Sequence, residues 1–174
     1  EEAYALNEQL MKVLIKGYDV TELQQKKLPS KYKKKLRVLE KAFDYDGQIS
    51  HSKSNSYWLA TKVGRNTCTY CNRNYIFTID GNNDKERITR PAFDHWFPKS
   101  LFPLLSLNIY NLIPCCTICN SGAKGNMIFH LDTHIHPYME TEDDPKFKFI
   151  PQIPDSKIGE WSVVLARDAN KYTK

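Results

Sequence analysis

Apolar residues Leu6, Leu10, Val13, Leu14 and Tyr18 recur at three- and four-residue steps, the spacing of one helix face, and predict a helix at the start of the chain. A second series, Tyr32, Leu36, Leu39 and Phe43, follows Pro29-Ser30, with Ser30 as the expected cap and Asp46-Gly47 as the close. Residues 50–56 are polar and read as a loop, after which Tyr57-Trp58-Leu59 opens a short apolar segment. The pattern then changes. Residues 75–79 and 87–93 are β-branched and aromatic and flank the turn-rich Asp80-Gly81-Asn82-Asn83-Asp84, which predicts a β-hairpin. Residues 100–107 read as a loop with a short helix broken by Pro103. Asn111-Leu112-Ile113-Pro114 reads as extended, with a helix expected to begin near Thr117, although Gly122 and Gly125 weaken it. Pro137, Pro145, Pro151 and Pro154 punctuate the last part, and Trp161-Ser162-Val163-Val164-Leu165 has strand character. The expectation is an α+β protein with a helical N-terminal region at 1–50, a central core at 51–136 and a C-terminal extension at 137–174.

Composition narrows the class. With 174 residues, 41% hydrophobic and 26% charged, the chain is globular in character and large enough to bury its own core. No apolar run approaches the ~18 residues of a spanning helix, so no membrane partner is expected. Glu1-Glu2-Ala3-Tyr4 has no leader character, and the sequence does not start with Met. The five cysteines, two C-x-x-C pairs and one more, suit a metal site in a reducing compartment better than a disulfide framework, which makes the cytoplasm the expected location. Charge is uneven. Between Lys12 and Lys41 ten Lys or Arg face only Asp19, Glu22 and Glu40, leaving +7 there and −2 for the remainder. Lys31, Lys33, Lys34, Lys35 and Arg37 are the densest part, whereas Glu140, Glu142, Asp143 and Asp144 form an acidic stretch. The basic stretch reads either as a solvated helix face or as a surface for nucleic-acid phosphates.

Cys68-Thr69-Tyr70-Cys71 and Cys116-Thr117-Ile118-Cys119 lie 44 residues apart. Each turn supplies two thiolates, and together they provide the four ligands of a tetrahedral structural zinc. Cys115 is the alternative to Cys116. The spacing to Cys119 favours Cys116 and leaves Cys115 as a small buried hydrophobe, while a redox dithiol is the competing use of such pairs.

The wider series Cys68-x-x-Cys71, Asp94-His95-x-x-Pro98, Asn111-Leu112, Cys116-x-x-Cys119-Asn120 and Lys124 resembles the zinc-bound H-N-H endonuclease family over residues 67–126. The resemblance implies a ββα-metal core in which a hairpin and a helix grip one divalent ion. It implies His95 as general base, Asp94 and Asn120 as oxygen ligands of Mg²⁺ or Mn²⁺, and Asn111 as the residue that orients the imidazole or pins the loop. Asn120 stands where the eponymous members carry His. Related members, including the domain of CRISPR effector nucleases, carry Asn there, and an amide oxygen favours hard Mg²⁺ or Mn²⁺ over Zn²⁺. Because Asp94 and His95 are neighbours on a strand, they should point to opposite sides.

Around this set, Lys124 is one turn beyond Asn120 and a candidate phosphate contact, with a solvated Lys as the alternative. Lys99 is a further candidate, with Arg73 and Arg90 behind it. Lys33, Lys34, Lys35 and Arg37 are the candidates on the basic helix, while Trp96 and Phe97 read as core. His130, His134 and His136 read as surface or packing residues, with a second metal, an alternative base or a replacement zinc ligand as their other uses. The expected reaction is hydrolysis of nucleic-acid phosphodiesters, with double-stranded DNA ahead of RNA. A role in anti-phage defence, with a partner protein or larger complex, is the expected setting. The rival expectation is a zinc-stabilised module that binds nucleic acid or protein without catalysis.

Overall fold

The computed structural model describes residues 2–15, 30–81, 83, 86–125, 127–131, 134–139, 148–152 and 162–166. Among the described residues it is a mixed helix and sheet structure with two two-stranded sheets. The chain divides into compact units Glu1–Ile128 and Phe129–Lys174.

Helix α1, Glu2–Leu14, buries a face other than the apolar series predicts. Leu6 and Val13 are exposed, whereas Asn7, Met11 and Ile15 are inside. The polar Asn7 tolerates this because its Nδ2 donates to the Leu101 carbonyl at 3.1 Å, and Tyr4 packs on Phe97 and Phe102 alongside it. Tyr18, the last member of that series, lies outside the described residues. Helix α2, Ser30–Ala42, follows its expected periodicity, with Leu36 buried and Lys33, Lys34, Lys35 and Arg37 exposed.

Part of the expected loop at residues 50–56 is instead the start of helix α3, Lys53–Val63. Ser52 caps it by accepting from the Asn55 N–H at 3.3 Å, so the polar first turn is a helix start and not a linker. Gly64 ends it in the left-handed region at φ 63°, where a side chain would be strained.

The main correction concerns the hairpin. Residues 75–79 and 87–93 meet only at the isolated Ile79–Thr89 bridge. The antiparallel pair is β1, Ala92–His95, with β2, Leu112–Cys115, in the register Ala92 to Cys115 through His95 to Leu112. Strand propensity at Tyr75 to Ile79 did not prevail because its alternate residues Tyr75, Phe77 and Ile79 have no layer to cover them and remain exposed. Leu59 and Ala60 of α3 pack on Phe93 and Leu112, with Tyr45, Ile49 and Val63 around them. After β2 the chain winds into a π-helical segment, Ile118–Lys124, near the helix start expected at Thr117. In the second unit β3, Lys148–Gln152, pairs with β4, Ser162–Ala166. The second of these strands was legible in the sequence, and the first was not. The acidic stretch at 140–144 lies outside the described residues. Among the described residues no helix is long and apolar enough to cross a membrane.

Candidate active site and cysteine cluster

The ligand sulfurs of Cys68, Cys71, Cys116 and Cys119 all lie within 4.8 Å of one another. A tetrahedron of sulfurs ~2.3 Å from zinc has edges of roughly 3.8 Å, so the four thiols fit such an ion. The first turn closes with Asn72 N–H donating to the Cys68 carbonyl at 2.8 Å, Asn72 itself taking a positive φ of 49°. The second closes with Asn120 N–H donating to the Cys116 carbonyl at 3.0 Å. Thr69 N–H reaches the Pro114 carbonyl, which joins the first turn to β2. Asn74 Nδ2 donates to Cys116 Sγ at 3.2 Å and draws that thiol down to about 6, towards the thiolate that metal binding requires. Cys115 stays out of the group. It is fully buried in β2, and burial pushes its thiol up to about 12.

Strand alternation separates the two neighbours at the end of β1 as expected. Ala92 packs with the cysteines, and Asp94, two residues on, is met from that side by the Tyr70 hydroxyl, which donates to Oδ2 at 2.5 Å. Phe93 packs under α3, and His95, two residues on, meets the edge of the Tyr45 ring at a centroid distance of 4.4 Å. The His95 Nε2 lies 2.9 Å from the Ser106 carbonyl oxygen. That oxygen can only accept, so Nε2 carries the proton and the neutral ring keeps its lone pair at Nδ1. Burial holds the imidazole below its ordinary value. Lys99 and Lys124 act in the same direction, against the Ser106 carbonyl and Asp94.

Asn111 is buried and pins the loop between β1 and β2. Its Oδ1 accepts from Phe97 N–H at 2.7 Å, and its Nδ2 donates to the carbonyls of Phe97 and Leu105 at 3.1 and 3.0 Å. Its side chain thus holds the loop, and its carbonyl accepts from Trp96 N–H at 3.0 Å, next to His95.

Asn120 and Lys124 share the π-helical segment, and Lys124 is the one in contact with Asp94. Far from being solvated, Lys124 is 5% exposed. Its Nζ lies 3.0 and 3.3 Å from the two Asp94 carboxylate oxygens and 2.8 Å from the His95 carbonyl oxygen. Three oxygens thus converge on one positive charge. Lys99 pairs with Asp46 at 2.7 Å and lies over the Tyr45 ring. Arg90 donates to the carbonyls of Pro91 and Ser50 beside an open cleft of about 500 Å³. His51, Lys53, Thr89 and Thr117 also line this cleft, and no carboxylate is among its described lining residues. His130, His134 and His136 belong to the second unit. The ring Nδ1 atoms of His134 and His136 accept backbone N–H groups, and the four-sulfur group contains cysteines alone.

Sequence reasoning missed Tyr70, Tyr45, Ser106 and Asn74. Ser106 acts through its carbonyl and leaves no side-chain signal. Tyr70 had one, since it sits between two of the clustered cysteines.

No family model and no solved structure matches the chain. It is similar to Protein ea31 of Escherichia phage lambda, 37% identical over 51 residues. That match covers 28% of this chain and 17% of the phage protein, so the chain spans less than a fifth of that relative's length.

Proposed function

We propose that the chain is a divalent-metal-dependent endonuclease of the H-N-H type, hydrolysing phosphodiester bonds of double-stranded DNA. The observation that carries this reading is the His95 ring: its Nε2 is fixed on the Ser106 carbonyl, its Nδ1 keeps the lone pair, and a buried Asp94 precedes it at the end of the same strand. In this reading His95 takes the proton of the attacking water at Nδ1. Burial below the ordinary histidine value keeps the ring neutral and able to accept near pH 7. Asp94 and Asn120 would hold Mg²⁺ or Mn²⁺, which would supply charge neutralisation at the leaving oxygen. The four cysteines would hold a structural zinc tying the π-helical segment to the first knuckle, and Asn111 keeps the loop carrying Ser106 in register. The cleft with His51, Lys53 and Arg90, and the exposed Lys33, Lys34, Lys35 and Arg37 of α2, supply positive surface for the phosphate backbone. Anti-phage defence, in the company of a partner protein, is the setting we attach to this activity.

One observation favours the rival, non-catalytic nucleic-acid-binding module: a lysine already neutralises Asp94. Incubation with supercoiled plasmid, single-stranded DNA and RNA, in Mg²⁺ or Mn²⁺ against EDTA, separates the two. Metal-dependent nicking or linearisation supports the nuclease, and salt-sensitive binding without cleavage supports the module.

A further inference from the structure

Lys124 and Asp94 form a deeply buried ion pair, with side chains 4% and 7% exposed. A carboxylate withdrawn this far from water needs compensation, here from the Tyr70 hydroxyl and from a cation, and breaking such a pair is costly. Here the cation comes from the chain itself, and the Lys124 Nζ takes up both Asp94 oxygens and the His95 carbonyl oxygen at 2.8 to 3.3 Å. A divalent ion on Asp94 draws on the same oxygens at still shorter range. With the ammonium left in place it would stand a few ångströms from another positive charge, and like charges that close in a buried site repel strongly. Lysine suits a replaceable occupant, since its charge is compact and its stem of four carbons is flexible.

We propose that the Lys124 ammonium is the resident cation on Asp94 and that a divalent ion binds there only by displacing it. This rests on the proposed reading of Asp94 as a metal ligand. Lys124 is then a positioning residue that holds Asp94 in place, weakens metal affinity, and is released when metal binds. The phosphate contact expected for Lys124 belongs to this released form.

The test is Mn²⁺ binding by the full chain, with cysteine-bound metal content checked, for wild type, Lys124→Met, Lys124→Arg and Asp94→Asn. Without Mn²⁺, Lys124→Met should melt below wild type. It should bind Mn²⁺ about tenfold more tightly or better, because no buried charge pair has to be broken, and should gain more Tm from Mn²⁺ than wild type does. Lys124→Arg keeps the charge and should not gain affinity. Should Lys124→Met fail to fold, the wild type still decides the matter: adding Mg²⁺ should shift the Lys124 side-chain ammonium resonance and speed its exchange with water, and an unmoved resonance overturns displacement. Binding that needs Asp94 but is equally tight in Lys124→Met also overturns it, while leaving Asp94 a ligand. Wild-type Mn²⁺ affinity in Asp94→Asn, or no binding in any variant, overturns the ligand reading and the displacement with it.

Discussion

The Nε2 of His95 lies 2.9 Å from the carbonyl oxygen of Ser106, and this one contact sets which ring nitrogen is left with its lone pair. Ser106 is in a loop, so its position depends on what holds that loop, and Asn111 holds it from the far end. Asn111→Ala strands the Phe97 N–H and two carbonyls in a buried place, which should cost about 2–4 kcal/mol. Denaturant melts should show that loss, and cleavage should fall with it as Ser106 drifts. Asn111→Asp should be no better, because an acceptor would then face the carbonyls of Phe97 and Leu105. Wild-type stability in Asn111→Ala would show that the loop is held by other means.

The buried imidazole makes pH a second probe. Its value in the folded chain is lowered, chiefly by burial. Cleavage should therefore rise through the acid range and level off at or below the ordinary histidine value of ~6.5. Stability follows the same group. As pH falls below ~6.5 the unfolded chain takes up the proton first. The contribution of the neutral ring is therefore complete above that value and is lost as pH falls towards the folded-state value. The difference in Tm between wild type and His95→Asn, measured across this window, should shrink as pH falls, and a constant difference would contradict the assignment.

Removal of a cysteine from the four-sulfur cluster should be far more damaging than removal of the neighbouring thiol. Metal binding contributes apparent energies of ~10–16 kcal/mol in small zinc modules, so Cys68→Ser or Cys119→Ser should lose both metal and folded core. Cys115→Ser puts a hydroxyl into a fully buried strand position and should cost about 1–3 kcal/mol while keeping one zinc per chain. Zinc released on thiol modification, counted against protein, checks both.

The basic helix is testable without touching the site. Lys33, Lys34 and Lys35 are exposed on α2, so replacing all three with Gln should leave Tm unchanged. The slope of log binding constant against log salt should flatten by ~0.9 for each DNA phosphate that these lysines neutralise in the wild type. An unaltered slope would return α2 to an ordinary solvated face.

What the sequence disclosed and what it concealed have separate physical causes. The cysteine pairs were legible because ligand geometry demands a short fixed spacing, and Cys116 rather than Cys115 in the cluster follows from that spacing. The alternation of Asp94 and His95 follows from the period of a strand. Strand partners were not legible: β1 and β2 have four residues each, and the exposed aromatic run at Tyr75 to Ile79 mimics a better strand than either. The buried face of α1 was hidden because the Leu101 carbonyl makes Asn7 an interior residue. Lys124 was placed on the right segment, but nothing in its neighbours says that its stem folds back onto Asp94.

The most direct test of the central claim compares wild type with His95→Ala on supercoiled plasmid in Mg²⁺ and Mn²⁺, with zinc content, Tm and DNA affinity measured on the same preparations. A nuclease built on His95 should convert plasmid to nicked or linear form in the wild type. His95→Ala should lose that activity by ~10²-fold or more, the usual contribution of a general base, while zinc and DNA binding persist. Cleavage by His95→Ala at the wild-type rate, or metal-independent cleavage by both, would contradict the account.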